Sequence, residues 1–247
     1  MREILHAHRE AKAMLFAGKV VLVAGGTGGL GRAVTEAFVR EGATVAVTYR
    51  NRAEFDELAK CSDAQIEGFA VDVTEEHAVQ MCMASLIDEH GRLDVLVNAV
   101  GGYAGGTPLW ETGVDVLDRM LSLNVRAGYV LYRAVAPLMV KAGSGAIVNV
   151  ASRAAFDHAA GAAAYAATKA AGVAIVDSLA ADLKDTGVRA NSVAPSIIDT
   201  AVNRKAMPDA DFSKWPKPEE IAEVVLWLAS DAAKLVNGTT VPVYGKS

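Results

Sequence analysis

Three residues of this chain have the types and spacing of a proton-transfer site. Tyr165 and Lys169 are four residues apart in GAAAYAATKAAG, and Ser152 precedes Tyr165 by thirteen residues. On a helix, positions four apart share a face, so the ammonium can lie near the phenol. A free phenol titrates at about 10, and a nearby cation favours its ionised form. With a serine hydroxyl to hold the same substrate oxygen, the three residues predict a carbonyl/alcohol redox site.

A tyrosine and a lysine four apart are by themselves a common surface pair. The stretch that carries them is mostly alanine and glycine and has few charges. A solvated helix face would be richer in charge. We therefore expect the pair to lie in a cleft.

The composition bounds the class of protein. Hydrophobic residues make up 52% of the 247 residues, charged residues 21%, and the formal net charge is −5. This is typical of a single α/β domain and does not favour nucleic-acid binding. The chain has no apolar run that predicts a secretion signal or a membrane span. Cys61 and Cys82 are expected to be free thiols, and a cytoplasmic location is predicted.

Apolar β-branched runs alternate with helical patterns along the chain. Strands are predicted at 19–25, 43–49, 65–73, 93–101, 145–152, 188–195 and 239–245, and helices up to about 41 and near 52–60, 75–90, 113–141, around Tyr165 and near 218–230. Nearly continuous Val, Ile and Leu strands separated by helices predict a doubly wound parallel sheet, a Rossmann fold. Residues 1–17 are predicted to be an extension and 18–247 the single domain. His6 and His8 lack a third ligand nearby, so no metal site is predicted.

A glycine-rich turn follows the first strand. The segment AGGTGGLG has the strand before it and the helix after it that dinucleotide binding needs. Glycine lets the backbone approach a pyrophosphate, which then lies at the helix N-terminus. The predicted cofactor contacts in this turn are Gly25, Thr27, Gly28, Gly29, Leu30 and Gly31.

The end of the second strand bears on the choice of cofactor. A free ribose 2′-hydroxyl usually meets an acidic residue here. This chain has Tyr49 and Arg50, with Arg52 close behind. Cations suit a 2′-phosphate, so NADP(H) is favoured, and NAD(H) stays possible. The alternative is that the two arginines only begin a solvated helix.

Several motifs in order resemble the short-chain dehydrogenase/reductase family, and in particular its 3-oxoacyl-acyl-carrier-protein reductase-like members. The resemblance runs from about Gly18 to Gly245. The family's T-G-x-x-x-G-x-G appears at 24–31 with Ala24 for threonine, and its N-N-A-G appears as Asn98, Ala99, Val100 and Gly101. Its P-G appears as Pro195 and Ser196. The departures leave the groups that the chemistry requires in place.

The resemblance also implies roles. Tyr165 would be the general acid, Ser152 would hold the carbonyl oxygen, Lys169 would lower the Tyr165 pKa and bind the ribose, and Asn124 would hold a relay water. Further implied cofactor contacts are Asp72, Val73, Asn98, Tyr165, Lys169, Pro195, Ile198 and Thr200.

The segment 201–217 corresponds to the family's substrate loop. Its length and its Met207, Phe212 and Trp215 suggest a lid. Each of these side chains could equally pack the loop against the body of the protein. Other candidate substrate contacts are Tyr103, Trp110, Arg153 and Phe156.

Two alternatives to a carbonyl reductase stay open from the sequence. The stretch NRKAMPDADFSKW is similar to the corresponding loop of quinonoid dihydropteridine reductases, although those enzymes lack the catalytic serine. A nucleotide-binding regulator without turnover is the other. The small-residue helix around Tyr165 and the resemblance together favour a homotetramer, and otherwise a dimer. The predicted partner is a small carbonyl or alcohol substrate, with no nucleic acid or membrane.

Overall fold

The computed structural model of the chain describes residues 14–60 and 66–247, which form seven strands and eight α-helices. The strands are β1 (Val20–Ala24), β2 (Thr44–Tyr49), β3 (Ile66–Ala70), β4 (Val95–Asn98), β5 (Gly145–Val150), β6 (Val188–Pro195) and β7 (Thr240–Val243). The helices are α1 (Gly29–Arg40), α2 (Arg52–Lys60), α3 (Glu76–His90), α4 (Val114–Leu121), α5 (Ala127–Ala142), α6 (Ala163–Asp182), α7 (Ala201–Ala206) and α8 (Pro218–Ala229).

All seven strands form one parallel sheet. Their order is β3-β2-β1-β4-β5-β6-β7. The chain winds outwards from β1 in one direction as far as β3, and then crosses back to β4 and continues the other way. This is the doubly wound Rossmann fold that the sequence predicted. In such sheets ligands bind beyond the carboxyl ends of the strands where the winding reverses, here between β1 and β4.

The strand side chains alternate between two hydrophobic cores. Val21 and Val23 point to the core under α1, α2 and α8, which contains the fully buried Phe38. Leu22 and its neighbours point to the opposite core, under α3, α5 and α6. Burial on both faces explains why the strands read as continuous apolar runs rather than as alternating ones.

The predicted helix at 113–141 is interrupted. Helix α4 ends at Leu121, residues Ser122–Arg126 form one π-helical turn, and α5 follows directly. Such a turn adds a residue to the helical repeat and commonly occurs at functional sites. Here it contains the buried Asn124. The hydrophobic pattern alone did not predict the irregularity, because it arises where α4 and the turn itself pack on α6.

The predicted substrate loop is more regular than expected. It contains α7 and a short 3-10 turn at Phe212–Lys214. Trp215 is only 7% exposed and its ring packs against Phe212. The backbone N–H of Lys246 donates to the carbonyl of Lys214, which ties the loop to the last strand. Trp215 therefore packs the loop against the body of the protein.

The predicted extension is only partly within the described residues. Residues 1–13, with His6 and His8, lie outside them, as does Cys61. Phe16 is 3% exposed and packs edge-on against Phe38, so the core already includes this residue. Among residues 14–60 and 66–247, no helix is long and apolar enough to cross a membrane.

Candidate active site

Ser152, Tyr165 and Lys169 meet at the carboxyl end of β5. Ser152 follows the strand and caps a short 3-10 turn, accepting a hydrogen bond from Ala154 N at 3.2 Å. Its side chain is also hydrogen-bonded to the phenol of Tyr165, on the first turn of α6. Lys169, one turn further, is 8% exposed and donates from Nζ to the carbonyl of Val150 at 3.0 Å. The predicted triad is thus brought together.

The electrostatics of the phenol differ from the prediction. Burial raises the pKa of Tyr165, the hydrogen bond from Ser152 opposes that shift, and the neighbouring Tyr103 raises the pKa further. Burial also lowers the pKa of Lys169 to about 8. Lys169 is not among the groups that shift the phenol pKa in this structure. The ammonium is itself desolvated and is bound to a backbone carbonyl instead.

Asn124 holds the loop after β4. Its Oδ1 accepts from Gly102 N at 2.8 Å, and its Nδ2 donates to Gly102 O at 3.1 Å and to Thr168 Oγ1 at 3.1 Å. A side chain at Gly101 would begin 2.9 Å from Asn124 Oδ1 and 3.2 Å from Lys169 Nζ. The π-helical turn thus brings Asn124 beside the triad.

The loop held by Asn124 brings Tyr103 against the phenol of Tyr165. The rings of Tyr103 and Tyr165 meet edge to face with centroids 5.0 Å apart. The loop is also tied at Gly106, whose N–H donates to Gly161 O at 2.9 Å, just before α6. Tyr103 remains 68% exposed. It is therefore placed to contact whatever binds at Tyr165.

The glycine-rich turn is tightly packed against itself. Gly25 has φ of +74°, which favours glycine, and its N–H donates to Thr48 Oγ1. A Cβ at Gly31 would lie 2.0 Å from Gly25 O, so only glycine fits where α1 begins. Thr200 lies on the other side of the turn, with its Cγ2 3.1 Å from the position a Gly29 Cβ would take.

A cavity of about 240 Å³ opens beside this turn, at the carboxyl ends of β1, β2 and β4. Of the predicted cofactor contacts, those lining it are Gly25, Thr27, Gly28, Arg50, Asp72 and Val73. A glycine cradle at a helix N-terminus, where a Cβ cannot be accommodated, fits a dinucleotide pyrophosphate. The residues present therefore fit such a cofactor.

Two charged residues, Asp72 and Arg50, line this cavity. Asp72 Oδ1 accepts from the N–H and the hydroxyl of Thr74 at 2.9 and 2.7 Å. These bonds, and to a smaller extent the charge of Arg50, lower the pKa of Asp72. Arg50 is exposed at the cavity wall.

Other predicted contacts lie away from the cavity wall. Asn98 is 3% exposed; its Nδ2 donates to Tyr132 Oη at 3.0 Å and its Oδ1 accepts from Val100 N. This buried network continues through Asn149 to Ser192 across three strands. Asn98 therefore fixes the turn after β4 in this structure. Sequence spacing could not reveal this, because the network joins residues far apart in the chain.

The remaining predicted positions lie where β6 ends. Pro195 is the last residue of the strand, and Thr200 caps α7 by accepting from Asn203 N at 3.2 Å. The carbonyl of Ile198 accepts from Asn203 Nδ2 at 2.8 Å. Leu30 is buried in the core under α1. In the described ranges no group of three His, Cys, Asp or Glu side chains is arranged to hold a metal ion.

Sequence reasoning missed Glu54. This residue of α2 lines the same cavity, and its carboxylate contacts Thr27 in the glycine-rich turn. The signal was weak, because an acidic residue in the first turn of a helix is common for helix stability alone. Trp110 and Phe156 are exposed, and the Arg153 guanidinium lies over the ring of Tyr244.

The fold and the site define a dinucleotide-binding enzyme with a serine, tyrosine and lysine at the sheet edge. The family model for short chain dehydrogenases matches residues 19–211. The chain is 35% identical to D-threitol dehydrogenase of Mycolicibacterium smegmatis, over 92% of each chain. It is 30% identical to 3-oxoacyl-acyl-carrier-protein reductase of Thermotoga maritima, over 94% of this chain and 98% of the relative.

Solved structures agree with these relatives. ElxO with NADP bound has a TM-score of 0.86 at 26% identity, covering 92% of this chain and 97% of that one. NAD+-bound xylitol dehydrogenase has the same TM-score and identity, covering 93% and 99%. The chain belongs to the short-chain dehydrogenase/reductase family. It is an oxidoreductase that acts on CH–OH and C=O groups.

Proposed function

We propose that the protein is an NADP(H)-dependent oxidoreductase that interconverts a carbonyl and a secondary alcohol, with Tyr165 as the general acid and base. The observation that carries the proposal is the interaction of the Ser152 side chain with the Tyr165 phenol, which lies one helical turn before the buried Lys169. Two neighbouring hydroxyls can bind one substrate oxygen. The glycine-rich cradle lies at the same edge of the sheet.

Each residue of the site has a defined task in this proposal. When bound, the nicotinamide supplies or accepts the hydride. In reduction the Tyr165 hydroxyl donates its proton to the carbonyl oxygen, while Ser152 donates a hydrogen bond to that oxygen. The raised pKa keeps the phenol protonated at neutral pH, which suits an acid. The side chains of Lys169 and Asn124 lie beside Gly101, in the loop after β4. They limit the space for this loop and contribute polar groups for a proton path.

The preference for NADP(H) is supported by Arg50. This cation lines the cavity next to the end of β2, where a ribose 2′-phosphate would be recognised. The related solved structures include one with NADP and one with NAD+ bound, so the fold accommodates either. The local charge of this chain favours the phosphorylated form.

The two alternatives are less well supported. D-threitol dehydrogenase and meso-2,3-butanediol dehydrogenase are among the relatives, which favours an alcohol or a carbonyl substrate over a quinonoid dihydropterin. Ser152 is present and hydrogen-bonded to Tyr165, as turnover requires. A regulator without turnover would not need this pair.

The test is a turnover assay with NADPH and a panel of aldehydes, ketones and β-ketoesters, with quinonoid dihydropterin included. Tyr165→Phe is expected to lower kcat by about 10²-fold or more, since general acid catalysis commonly contributes that much. Its Kd for NADPH should change little. Tyr129→Phe, an exposed tyrosine on α5, is the matched control and should keep full activity. Near-normal kcat in Tyr165→Phe would show that another group donates the proton.

We further propose a cytoplasmic homo-oligomer, a tetramer in preference to a dimer. The support is an apolar patch, which we name the α4/α5 patch, formed by the partly exposed Leu117, Leu121 and Tyr129. A groove of about 540 Å³ at this patch is lined by Leu121, Val125 and Tyr129 and by charged residues that include Asp118, Arg126 and Arg133. Exposed apolar side chains rimmed by polar ones are typical of a protein interaction site.

A further inference from the structure

The carboxylate of Glu54 joins the two turns that face each other across the cofactor cavity. Glu54 Oε2 accepts a hydrogen bond from Thr27 Oγ1 at 3.2 Å, in the glycine-rich turn. Glu54 Oε1 accepts one from Asn51 Nδ2 at 3.2 Å, in the turn after β2. We call this arrangement the Glu54 bridge. It places a negative charge at the mouth of the cavity.

The Glu54 bridge and Arg50 share this mouth. Thr27, Arg50, Asn51 and Glu54 all line the cavity of about 240 Å³. One cation and one carboxylate therefore act on any charged group that enters beside β2. Their effects on a phosphate are opposite, because the cation attracts it and the carboxylate repels it.

Helix stability accounts for only part of the Glu54 contacts. An acidic residue in the first turn of α2 favours the helix, and the contact with Asn51, the residue before the helix, belongs to that local structure. The contact with Thr27 does not, because Thr27 is 27 residues away in the chain and lies on the dinucleotide cradle. This long-range contact points to a role in the cavity.

We propose that Glu54 is a specificity-determining residue for the cofactor. Its charge weakens the binding of a dinucleotide that carries a ribose 2′-phosphate, and so limits the preference that Arg50 creates. A dinucleotide without this phosphate is weakened less, because only its pyrophosphate charge remains to be repelled. This inference rests on the proposed NADP(H) function and adds a residue that opposes Arg50.

The effect is modest and depends on salt. Glu54 is exposed, so water and ions screen its interaction with a phosphate. We expect about a three- to tenfold effect on NADPH affinity at low ionic strength, which is what a pair of screened charges a few ångströms apart produces. Raising the salt concentration should shrink it.

The test compares Glu54→Gln with Glu57→Gln. Glutamine retains a carbonyl oxygen and an amide for hydrogen bonds but has no charge. Glu57 carries the same charge on the same helix and does not line the cavity, so it controls for net charge. The Kd values of NADPH and NADH are measured by titration for each protein at low and at physiological salt, with thermal unfolding to confirm folding.

In Glu54→Gln we expect NADPH to bind about three- to tenfold more tightly and NADH to gain affinity by a clearly smaller factor. Glu57→Gln should match the unmodified protein. Equal NADPH affinities in the two variants would overturn the inference. A loss of NADH affinity in Glu54→Gln would also overturn it, and would make Glu54 an acceptor for the ribose hydroxyl.

A third variant, Arg50→Glu, distinguishes a failure of this inference from a failure of the proposed function. Arg50→Glu should weaken NADPH binding by tenfold or more and leave NADH binding nearly unchanged. If Arg50→Glu has no effect, the NADP(H) proposal fails at Arg50, and the comparison of Glu54→Gln with Glu57→Gln still decides the role of Glu54.

Discussion

At the residue scale, burial governs the chemistry of the site. The sequence places a phenol and an ammonium on one helix face, and the structure desolvates both. Burial raises the pKa of Tyr165 and lowers that of Lys169 to about 8. Both shifts favour the neutral form, because a low-dielectric environment disfavours charge. The protonated phenol at neutral pH suits the proton donor that we propose.

The raised phenol pKa predicts different pH dependences for the two directions. Carbonyl reduction needs protonated Tyr165, so its kcat/KM should stay level between pH 6 and 10, below the raised pKa. Alcohol oxidation needs the ionised phenol, so its kcat/KM should rise over the same range. Initial rates in both directions from pH 6 to 10 check this. An oxidation rate that is flat with pH would contradict a raised pKa.

Lys169 predicts a second pH effect, on stability. Below pH 8 the folded and unfolded chains both carry the charge, and the folded state bears the full cost of burying it. Between about 8 and its ordinary value of 10.5, the folded lysine is neutral while the unfolded one is charged. Unfolding then takes up a proton, so stability increases as the pH rises.

Lys169→Met removes this effect. Relative to the variant, the unmodified protein should gain on the order of 1–3 kcal/mol in free energy of unfolding between pH 7.5 and 10. Urea unfolding at several pH values measures the difference. A gap that does not change with pH would show that the ammonium is not desolvated as the structure indicates.

At the element scale, turns rather than regular helices and strands build the site. The π-helical turn at 122–126 positions the Asn124 side chain to hydrogen-bond the loop after β4. The glycine-rich turn packs against the start of α1. Both depend on close backbone approach. Elements of this kind tolerate little change in side-chain volume.

Gly31→Ala tests that requirement. The added Cβ would lie 2.0 Å from Gly25 O, so the turn must shift and the cofactor cradle must open. We expect cofactor affinity to fall by at least tenfold and stability by about 1–3 kcal/mol. Gly29→Ala is the control, because its Cβ meets only the methyl group of Thr200 at 3.1 Å. Titration and urea unfolding of both variants would show the difference, and equal losses would contradict the packing argument.

At the scale of the whole molecule, the doubly wound sheet brings distant segments to one edge. The segments after β1, β2, β3 and β4 line one cavity, and Thr200, which follows β6, packs against the glycine-rich turn. The α4/α5 patch lies on the two helices that flank the π-helical turn with Asn124.

Tyr129→Glu tests the assembly. Tyr129 is 57% exposed and lies in the α4/α5 patch, where a buried charge would disfavour association. The unmodified protein should elute as an oligomer in light-scattering chromatography, and the variant should shift to a smaller species. Tyr129→Phe should behave like the unmodified protein. A monomeric unmodified protein would contradict the proposal.

The sequence by itself determined the architecture and identified the residues that we propose as the catalytic group. Continuous apolar runs separated by helical patterns encode a parallel sheet covered on both faces, and the spacings of Ser152, Tyr165 and Lys169 are local enough to be recognised. These features depend on neighbours in the chain. They can therefore be predicted without knowledge of the packing.

Only the tertiary structure decided what depends on burial and on distant contacts. The raised pKa of Tyr165, the packed position of Trp215, the buried network of Asn98 and the bridge from Glu54 to Thr27 all follow from segments that meet in space. The physical reason is that desolvation and long-range hydrogen bonds are properties of a packed interior. Sequence spacing carries no information about which distant side chains meet in that interior.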